Sequence, residues 1–471
     1  MAQAPVAGGL PPEAQKALLK QLLGRHKNPV LPSAAVEKIA DDLADWSLAL
    51  DDVIPRQEAS GPTAGFLEMA GRRCGEASVW ADDGFPGDGA LAGVGSLWPN
   101  AARMEAEVNQ EMTAMQLFLE AVDVWLFRDG RPFDAGQDHS AVSRFPPYPT
   151  VIQGAIRSHH LVLCQVNVQD PVAVAATVGA GLELGQRRVR GPLLACRQGD
   201  SLMHLFPAPA DAFNQAGHLQ ARTPRPRPDG VTVSIPETVL PQLFWSEGEP
   251  QKAEGGGAWL TGEALRDYLQ GKAVTAIPTS DLFEPESRVG IAVDSARRTV
   301  REGALYDLQV VRPKPGVGLW VEATGFDDWP DAGVLRIGGE GRGAYFSILK
   351  APLAWPASTF SELPPRFKIY FATPTWFAHG WRPADWGQFF QGQVSLQATA
   401  IHRYESVGGF DWAAPAAEAG AHRPARRFVP AGSVYLFSSD CQARLRPDLI
   451  QHAITDWGAE IGFGQVVIAP A

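Results

Sequence analysis

MQLFLEAVDVWLF, residues 115–127, is the first long run of β-forming side chains in the sequence, and the turn-forming stretch RDGRPFDAG follows it at residues 128–136. A run rich in Val, Leu, Phe and Trp that ends in a Gly/Pro turn is typical of a strand that opens a sheet domain. The methionine at its first position suggests that an older gene began there. We therefore expect residues 1–114 to be an addition or a fusion.

The segment before this strand has a different character. The chain carries a net charge of −11, and its excess of acidic over basic residues is concentrated in this first quarter. Apolar residues recur at spacings of three and four between Val36 and Trp46, which predicts an amphipathic helix. Residues 81–100 are rich in Gly, Asp and Pro, as linkers are. Residues 1–114 are thus predicted to form an acidic, mainly helical N-terminal extension.

Short strands separated by irregular connections dominate the sequence after Met115. Thr150 is expected to cap a helix over residues 151–163, because a threonine hydroxyl can accept a hydrogen bond from the first free backbone amides. The predicted strands are residues 182–189, 231–235, 288–293, 305–311, 317–323, 344–348, 367–373, 393–400, 433–437 and 465–468. This mixture favours an α+β architecture over a doubly wound parallel sheet.

The composition of this 471-residue chain, with 45% hydrophobic and 20% charged residues, is that of a globular protein of two or three domains. No apolar run approaches the roughly 18 residues that span a bilayer, and no signal peptide opens the chain. We therefore expect a cytoplasmic protein without a membrane partner. Four scattered cysteines predict buried, reduced thiols rather than a zinc site or a disulfide framework.

Basic residues form local clusters within the acidic chain. Each cluster is as compatible with a solvated face as with a phosphate-binding surface. The clusters are Arg187, Arg188 and Arg190; Arg222, Arg225 and Arg227; Arg297, Arg298 and Arg301; and Arg423, Arg426 and Arg427.

Several segments, taken in order, resemble the third subunit of the type III-B CRISPR (Cmr) module, a member of the RAMP superfamily. They are RDGRPFDAG (128–136), FPP (145–147), TVIQGAIR (150–157), RGPLL (190–194), FPAPAD (206–211), RVGI (288–291), EGALY (302–306), LRIGGEGR (335–342) and PAGSVY (430–435). Any one of them is weak evidence, but their order and spacing together are specific. The resemblance covers residues 115–471.

The resemblance implies two ferredoxin-like (RRM-like) domains with long insertions, which we assign to residues 115–290 and 291–471. It also implies binding of the 5′ repeat-derived tag of the CRISPR RNA (crRNA). The neighbours that it implies are the large polymerase/cyclase-like subunit and the first backbone RAMP subunit. No catalysis and no cofactor are expected. The N-terminal extension is interpreted as a helical C-terminal piece of the large subunit, fused in frame or carried as an extra docking module. A disordered segment or a mispredicted gene start is the alternative.

The candidate site combines arginines, flat side chains and glycine loops. Guanidiniums on a constrained turn can grip phosphates, Phe133 can stack on a base, and the start of the helix at Thr150 can bind an anion. For each feature a structural role remains the alternative: a charged turn, an ordinary capped helix, or glycines needed for positive φ. The predicted RNA-binding residues are Arg128, Arg131, Phe133, His139, Thr150, Gln153, Arg157, Arg288, Arg301, Gly338, Gly339, Arg342, Gly462 and Gly464.

Two further functions compete with RNA binding by a scaffold. Related RAMP endoribonucleases use histidine for metal-independent cleavage of CRISPR RNA, and His139, His159 and His160 are the candidates here. However, no Tyr or Lys partner stands at a diagnostic spacing, and no metal-binding motif is present. The sequence therefore predicts no catalytic residue and no metal. The other competitor is a scaffold that binds only proteins.

Overall fold

The computed structural model describes residues 114–128, 140–181, 183–199, 201–227, 235–236, 238–245, 257–294, 297, 299–356, 362–410, 422–440 and 443–471. The predicted N-terminal extension and most of the arginine turn lie outside these residues. In the described part strands far outnumber helices, so the predicted α+β architecture is confirmed. No described helix is both long and apolar enough to cross a membrane.

The helices and strands are numbered in chain order. The helices are α1 (Pro149–Leu163), α2 (Pro171–Val178) and α3 (Gly262–Leu269). The strands are β1 (Ala114–Ala121), β2 (Ser140–Val142), β3 (Arg188–Gln198), β4 (Ser201–Pro207), β5 (Ala212–Gln215), β6 (His218–Ala221), β7 (Thr223–Pro226), β8 (Gln242–Trp245), β9 (Ala258–Thr261), β10 (Ile277–Pro278), β11 (Phe283–Asp294), β12 (Thr299–Pro313), β13 (Val317–Thr324), β14 (Ala332–Arg336), β15 (Gly343–Ile348), β16 (Arg366–Phe371), β17 (Phe390–Gln391), β18 (Val394–Ala400), β19 (Glu405–Phe410), β20 (His422–Phe428), β21 (Val434–Ser439), β22 (Arg444–Leu445) and β23 (Val466–Pro470).

The first sheet has the order β10-β9-β4-β3-β13-β1-β15-β14. Its four central strands lie side by side in the order β15-β1-β13-β3, and neighbouring strands are antiparallel. Among these four, β15 is the fourth along the chain, β1 the first, β13 the third and β3 the second. Helix α1 connects the first of them to the second. This arrangement is a split β-α-β unit, in which the connected strands have another strand inserted between them.

The second sheet repeats that strand order. It runs β18-β21-β16-β23, again fourth, first, third and second when read from β23, and again antiparallel. The connection from β16 to β18, which corresponds to the one that holds α1, carries a short 3₁₀ turn and the two-residue strand β17. The second sheet is therefore a reduced copy of the arrangement of the first.

Strand β1 shows why the opening run is apolar on both faces. Leu117 and Leu119 pack in the core beneath α1, whereas Phe118 packs in the opposite core with α3. Successive side chains of a strand point to opposite faces, so a strand that is covered on both sides needs a continuous apolar run. The core on the α3 side also contains Tyr370 and Val467 of the second sheet, which joins the two sheets.

The predicted domain boundary after residue 290 falls inside β11. Three later strands, β13, β14 and β15, belong to the first sheet, so the change from one sheet to the other lies between β15 and β16. The long β11–β12 hairpin, which is joined by β2, is an excursion between two strands of one sheet. Strand partners are set by contacts distant in sequence, which local pattern does not reveal.

Most predicted strands from residue 288 onward are confirmed within one or two residues of their bounds. The predicted strand at 182–189 is wrong, because β3 begins only at Arg188. Of the predicted strand at 231–235, residues 231–234 lie outside the described part. The predicted helix is confirmed, but Thr150 does not cap it: Tyr148 holds the cap position and Pro149 is the first residue. Proline fixes φ near the helical value and has no amide to satisfy, which suits it to that position.

Candidate nucleic-acid interface

The arginine turn is only partly described. Arg128 is exposed, and it pairs across a single β-bridge with Ser143. Arg131, Phe133 and His139 lie outside the described residues. Their roles stay predictions.

The polar residues at the start of α1 serve the helix and its neighbouring loop. Gln153 is buried, donates to the Thr150 carbonyl at 3.1 Å and accepts from Arg157 Nη1 at 3.2 Å. Arg157 also donates to the carbonyl oxygens of Gly181 and Gly179, the latter at 2.7 Å. These acceptors lie in the connection between α2 and β3, so Arg157 ties that connection to α1 through two of its five N–H donors.

The glycine loop before β15 packs on the chain segment that leads into Arg128. At Gly338, where φ is +83°, a Cβ would lie 2.6 Å from the Leu126 carbonyl oxygen. The Gly339 amide donates to that same oxygen at 2.8 Å, and Arg342 pairs with Glu340 at 3.2 Å. The structure thus brings the loop close to Arg128, but the close backbone approach that the glycines permit is to protein.

The C-terminal glycine loop contacts the first sheet. Gly462 has φ of +106°, and a Cβ there would lie 2.3 Å from the Gly191 carbonyl oxygen of β3. The Gly462 carbonyl accepts a hydrogen bond from Thr373 Oγ1 at 2.8 Å, and the Gly464 amide donates to the Pro374 carbonyl at 2.9 Å. The loop is therefore part of the packing between the two sheets.

Gly462→Ala is expected to lower the free energy of unfolding by roughly 2–4 kcal/mol, because it adds a backbone collision to the cost of positive φ. Gly217→Ala is the matched control, since Gly217 has φ of +84° with no atom within 4 Å of a Cβ. The control should lose only about 1 kcal/mol. Urea denaturation of both variants measures the difference, and equal losses would contradict a collision at Gly462.

Arg288 belongs to an ion-pair network on the surface. It pairs with Asp123 at 3.2 Å and with Glu286 at 2.8 Å, and Arg312 pairs with the same two carboxylates. Hydrogen bonds from Arg312 and Arg288 lower the pKa of both acids. The network fixes the root of the β11–β12 hairpin to the end of β1. Arg301 lies on β12 within the same hairpin.

A second group of arginines gathers beside α1 from separate parts of the sequence. Burial is the largest cause that lowers the pKa of Arg157, and the positive charges of Arg423 and Arg187 lower it further. No carboxylate is among the groups that shift it. Like charges that approach one another create a positive potential that attracts anions.

Strand β20 extends this group. The pairing with β19 shifts between Val407 and Gly409, and β20 carries one extra residue there, at a position that includes Pro424. A bulge of this kind re-aims the side chains that follow it, so Arg423 and Arg426 face the same side of the ribbon. We call Arg157, Arg187, Arg423 and Arg426 the arginine row.

The β19–β20 ribbon sets its exposed arginines on aromatic rings. The guanidinium carbon of Arg426 lies 4.6 Å from the centre of the Trp376 ring and 4.9 Å from that of Trp457. That of Arg427 lies 4.9 Å from the Tyr404 ring. Neither guanidinium pairs with a carboxylate of the described residues. Basic side chains interleaved with aromatic rings are the usual means of holding single-stranded nucleic acid.

Sequence reasoning had noted Arg423, Arg426 and Arg427 as a basic cluster but had not placed them in the site. Their signal was the presence of three arginines within five residues. The aromatic partners come from other loops, so no local spacing shows them.

The two histidines of α1 lie among aromatic rings, with His160 buried and His159 half-buried. His160 accepts a hydrogen bond from Trp329 Nε1 at 3.2 Å, and His159 packs edge-on against Trp329. Burial lowers the pKa of both, and burial followed by the charge of Arg190 lowers that of His204 to about 3. These neutral rings are suited to packing. Within the described part no three acidic, His or Cys side chains cluster as metal ligands would.

The thiols follow the prediction only in part. Cys196 is buried, as predicted, whereas Cys164 at the end of α1 is exposed. The prediction rested on the general preference of free cysteines for the core, and Cys164, the residue that ends α1, does not follow it.

Comparison with known proteins gives no match among curated proteins. Among solved structures, a chain of the type III-B Cmr-beta complex bound to cognate target RNA and AMPPnP is similar at 14% identity and a TM-score of 0.38, covering 68% of this chain and 86% of that one. A chain of the Cmr-beta complex bound to cognate target RNA is similar at 13% identity and a TM-score of 0.38, covering 74% and 96%.

The family model described as CRISPR-associated protein (Cas_Cmr3) matches residues 117–470. This range begins within β1 and ends within β23, so it contains both sheets. It also confirms the family resemblance that was identified from the sequence. The chain therefore belongs to the Cas_Cmr3 family of CRISPR-associated proteins.

Proposed function

We propose that this chain is a non-catalytic subunit of a type III-B CRISPR effector complex that acts in antiviral defence in the cytoplasm. In this role it binds the 5′ repeat-derived tag of the crRNA and anchors the large subunit and the first backbone RAMP subunit. The family assignment supports this role. Two sheets with the same split strand order also fit the two ferredoxin-like domains that RAMP subunits of this kind are expected to contain.

One observation carries the RNA-binding part of the proposal: the arginine row gathers positive charge from separate parts of the chain, and Arg426 of this row lies over two tryptophan rings. The groups that lower the pKa of Arg157, beyond burial, are two other arginines. Bringing cations together costs free energy, and an RNA backbone passing over the row would repay that cost by supplying negative charge. The net charge of −11 does not oppose this, because phosphates respond to the local surface.

The ribbon supplies the second half of the interface. Arg427 and Tyr404 are both exposed, and they present a cation and an aromatic face together. Single-stranded RNA offers phosphates to the first and unpaired bases to the second. The glycine loop at Gly338 packs on the segment that leads into Arg128, and we assign Arg128 and this loop a supporting role in holding the tag.

A binding titration tests this function. The full chain should bind a guide RNA that carries its 5′ repeat tag at least tenfold more tightly than the same RNA without the tag, at one fixed salt concentration, because the tag adds phosphate and base contacts of about 1–3 kcal/mol each. Arg128→Ala and Arg131→Ala should weaken tag-dependent binding.

The recovered RNA is examined for cleavage in the same experiment. Intact RNA is the expected result. Cleaved RNA would favour the endoribonuclease, and equal binding of tagged and untagged RNA would contradict tag recognition.

A further inference from the structure

Trp376 and Trp457 form a small site that a flat group already occupies. The guanidinium of Arg426 stands over both rings, at 4.6 and 4.9 Å from their centres. Both tryptophans are half-buried, whereas Arg426 is exposed. The two rings thus present aromatic surface at the protein boundary, and a side chain from the ribbon covers it.

The walls of this site are fixed. The Thr455 hydroxyl joins the two tryptophan-bearing loops: it accepts from the Trp376 amide at 3.2 Å and lies 3.1 and 2.9 Å from the carbonyl oxygens of Trp376 and Trp457. The Asp456 amide donates to the Trp376 carbonyl at 2.9 Å. The Trp457 ring packs on Phe463, with ring centres 5.6 Å apart. Both rings also pack against the buried core beneath α1.

The guanidinium that covers the rings is held far less firmly. Among the described residues, Arg426 forms no hydrogen bond and no ion pair, so the two rings are its only partners. A cation over aromatic rings at an exposed position is weakly bound. All of its N–H donors therefore remain available to an acceptor that approaches from solvent, and a phosphate is the acceptor that matches them best.

We infer that Trp376 and Trp457 are the stacking site for one unpaired nucleobase of the bound RNA, which enters as Arg426 turns outward to the adjacent phosphate. The inference rests on the proposed function. Entry of the base replaces a weak cation–ring contact with a stacked base and a charge-assisted hydrogen bond between Arg426 and the phosphate. Because a base is held by its face, the site tolerates any of the four bases, and a base-paired duplex cannot enter it.

Abasic scanning of the RNA tests this without altering the protein. The guide RNA with its 5′ tag is prepared with a single abasic ribose at each tag position in turn, and each is titrated with the full chain. We expect one position at which base removal weakens binding about tenfold, the loss of one stacked base. The other positions should change it less.

A double variant, Trp376→Leu with Trp457→Leu, identifies where that base binds. It should bind the intact RNA about tenfold more weakly and should no longer distinguish intact from abasic RNA. Trp381→Leu is the matched control: Trp381 is another half-buried tryptophan with an arginine, Arg382, over its ring at 5.6 Å. It should preserve both the affinity and the abasic effect.

The outcomes separate this inference from the function on which it rests. If the wild-type chain binds none of the RNAs, the proposed function fails. If it binds them through arginines but shows neither an abasic-sensitive position nor a dependence on the two tryptophans, only the stacking site is overturned.

Discussion

Asp211→Ala is expected to lower the free energy of unfolding by about 3–5 kcal/mol, the usual cost of leaving one member of a buried ion pair alone. The Asp211 side chain is fully buried, and it lies 3.0 Å from Lys368 Nζ, whose side chain is 9% exposed. Tyr268 donates to the same carboxylate at 2.8 Å. Burial and the neighbouring Asp211 raise the pKa of Tyr268 far above its usual value, so the phenol remains a donor at neutral pH.

This trio matters because its members come from different layers. Lys368 lies on β16 of the second sheet, Tyr268 on α3, and Asp211 just before β5. Without the carboxylate, the Lys368 ammonium faces apolar surroundings and the Tyr268 hydroxyl loses its acceptor. Both groups must then rehydrate, which requires the sheets to separate locally.

Urea denaturation with two controls checks this expectation. Asp267→Ala removes an exposed carboxylate from its 2.6 Å pair with Lys272 and should cost less than about 1 kcal/mol. Asp211→Leu combined with Lys368→Met should recover most of the loss, because an apolar pair leaves no uncompensated charge. If Asp211→Ala costs no more than Asp267→Ala, the trio does not stabilise the contact between the sheets.

The sequence predicted those strands and helices whose positions follow from the local pattern of apolar residues alone. The β1 run is apolar on both faces because the strand is covered on both faces, and α1 is recognisable from its apolar spacing. Neither feature depends on distant partners. The strand order does depend on them: the sequence gives no sign that β13 rather than β3 lies beside β1, or that β13, β14 and β15 share the sheet of β1.

In the candidate site too, some features follow from the local sequence and others from residues distant along the chain. Arg157 has the sequence context of an anion-binding helix start, but its acceptors Gly179 and Gly181 lie more than 20 residues further along the chain. A guanidinium can donate hydrogen bonds to RNA only if the protein has not already satisfied its donors, whereas Arg157 still contributes its charge; which donors are satisfied is a property of the folded chain. Arg426 and Arg427 keep their donors because aromatic rings, which accept only weakly, are their partners.

Arg426→Ala with Arg427→Ala is accordingly expected to weaken binding of tagged guide RNA about 30-fold, from two lost charge-assisted contacts of roughly 1 kcal/mol each. The salt dependence should change as well. Each phosphate contact to a single strand contributes about −0.7 to the slope of log affinity against log salt concentration, so the slope should become less negative by about 1.4. Fluorescence anisotropy titrations at several salt concentrations measure both quantities.

Arg266→Ala with Lys272→Ala is the control of equal charge. Arg266 lies on α3 and Lys272 just beyond it, and α3 packs on the face of the first sheet opposite α1. If the ribbon is the interface, this control should leave the affinity within about twofold, because charges beyond a Debye length of about 10 Å are largely screened. If this control lost as much affinity as the ribbon variant, binding would depend on the total charge of the chain. The arginine row would then not be the specific binding site of the tag.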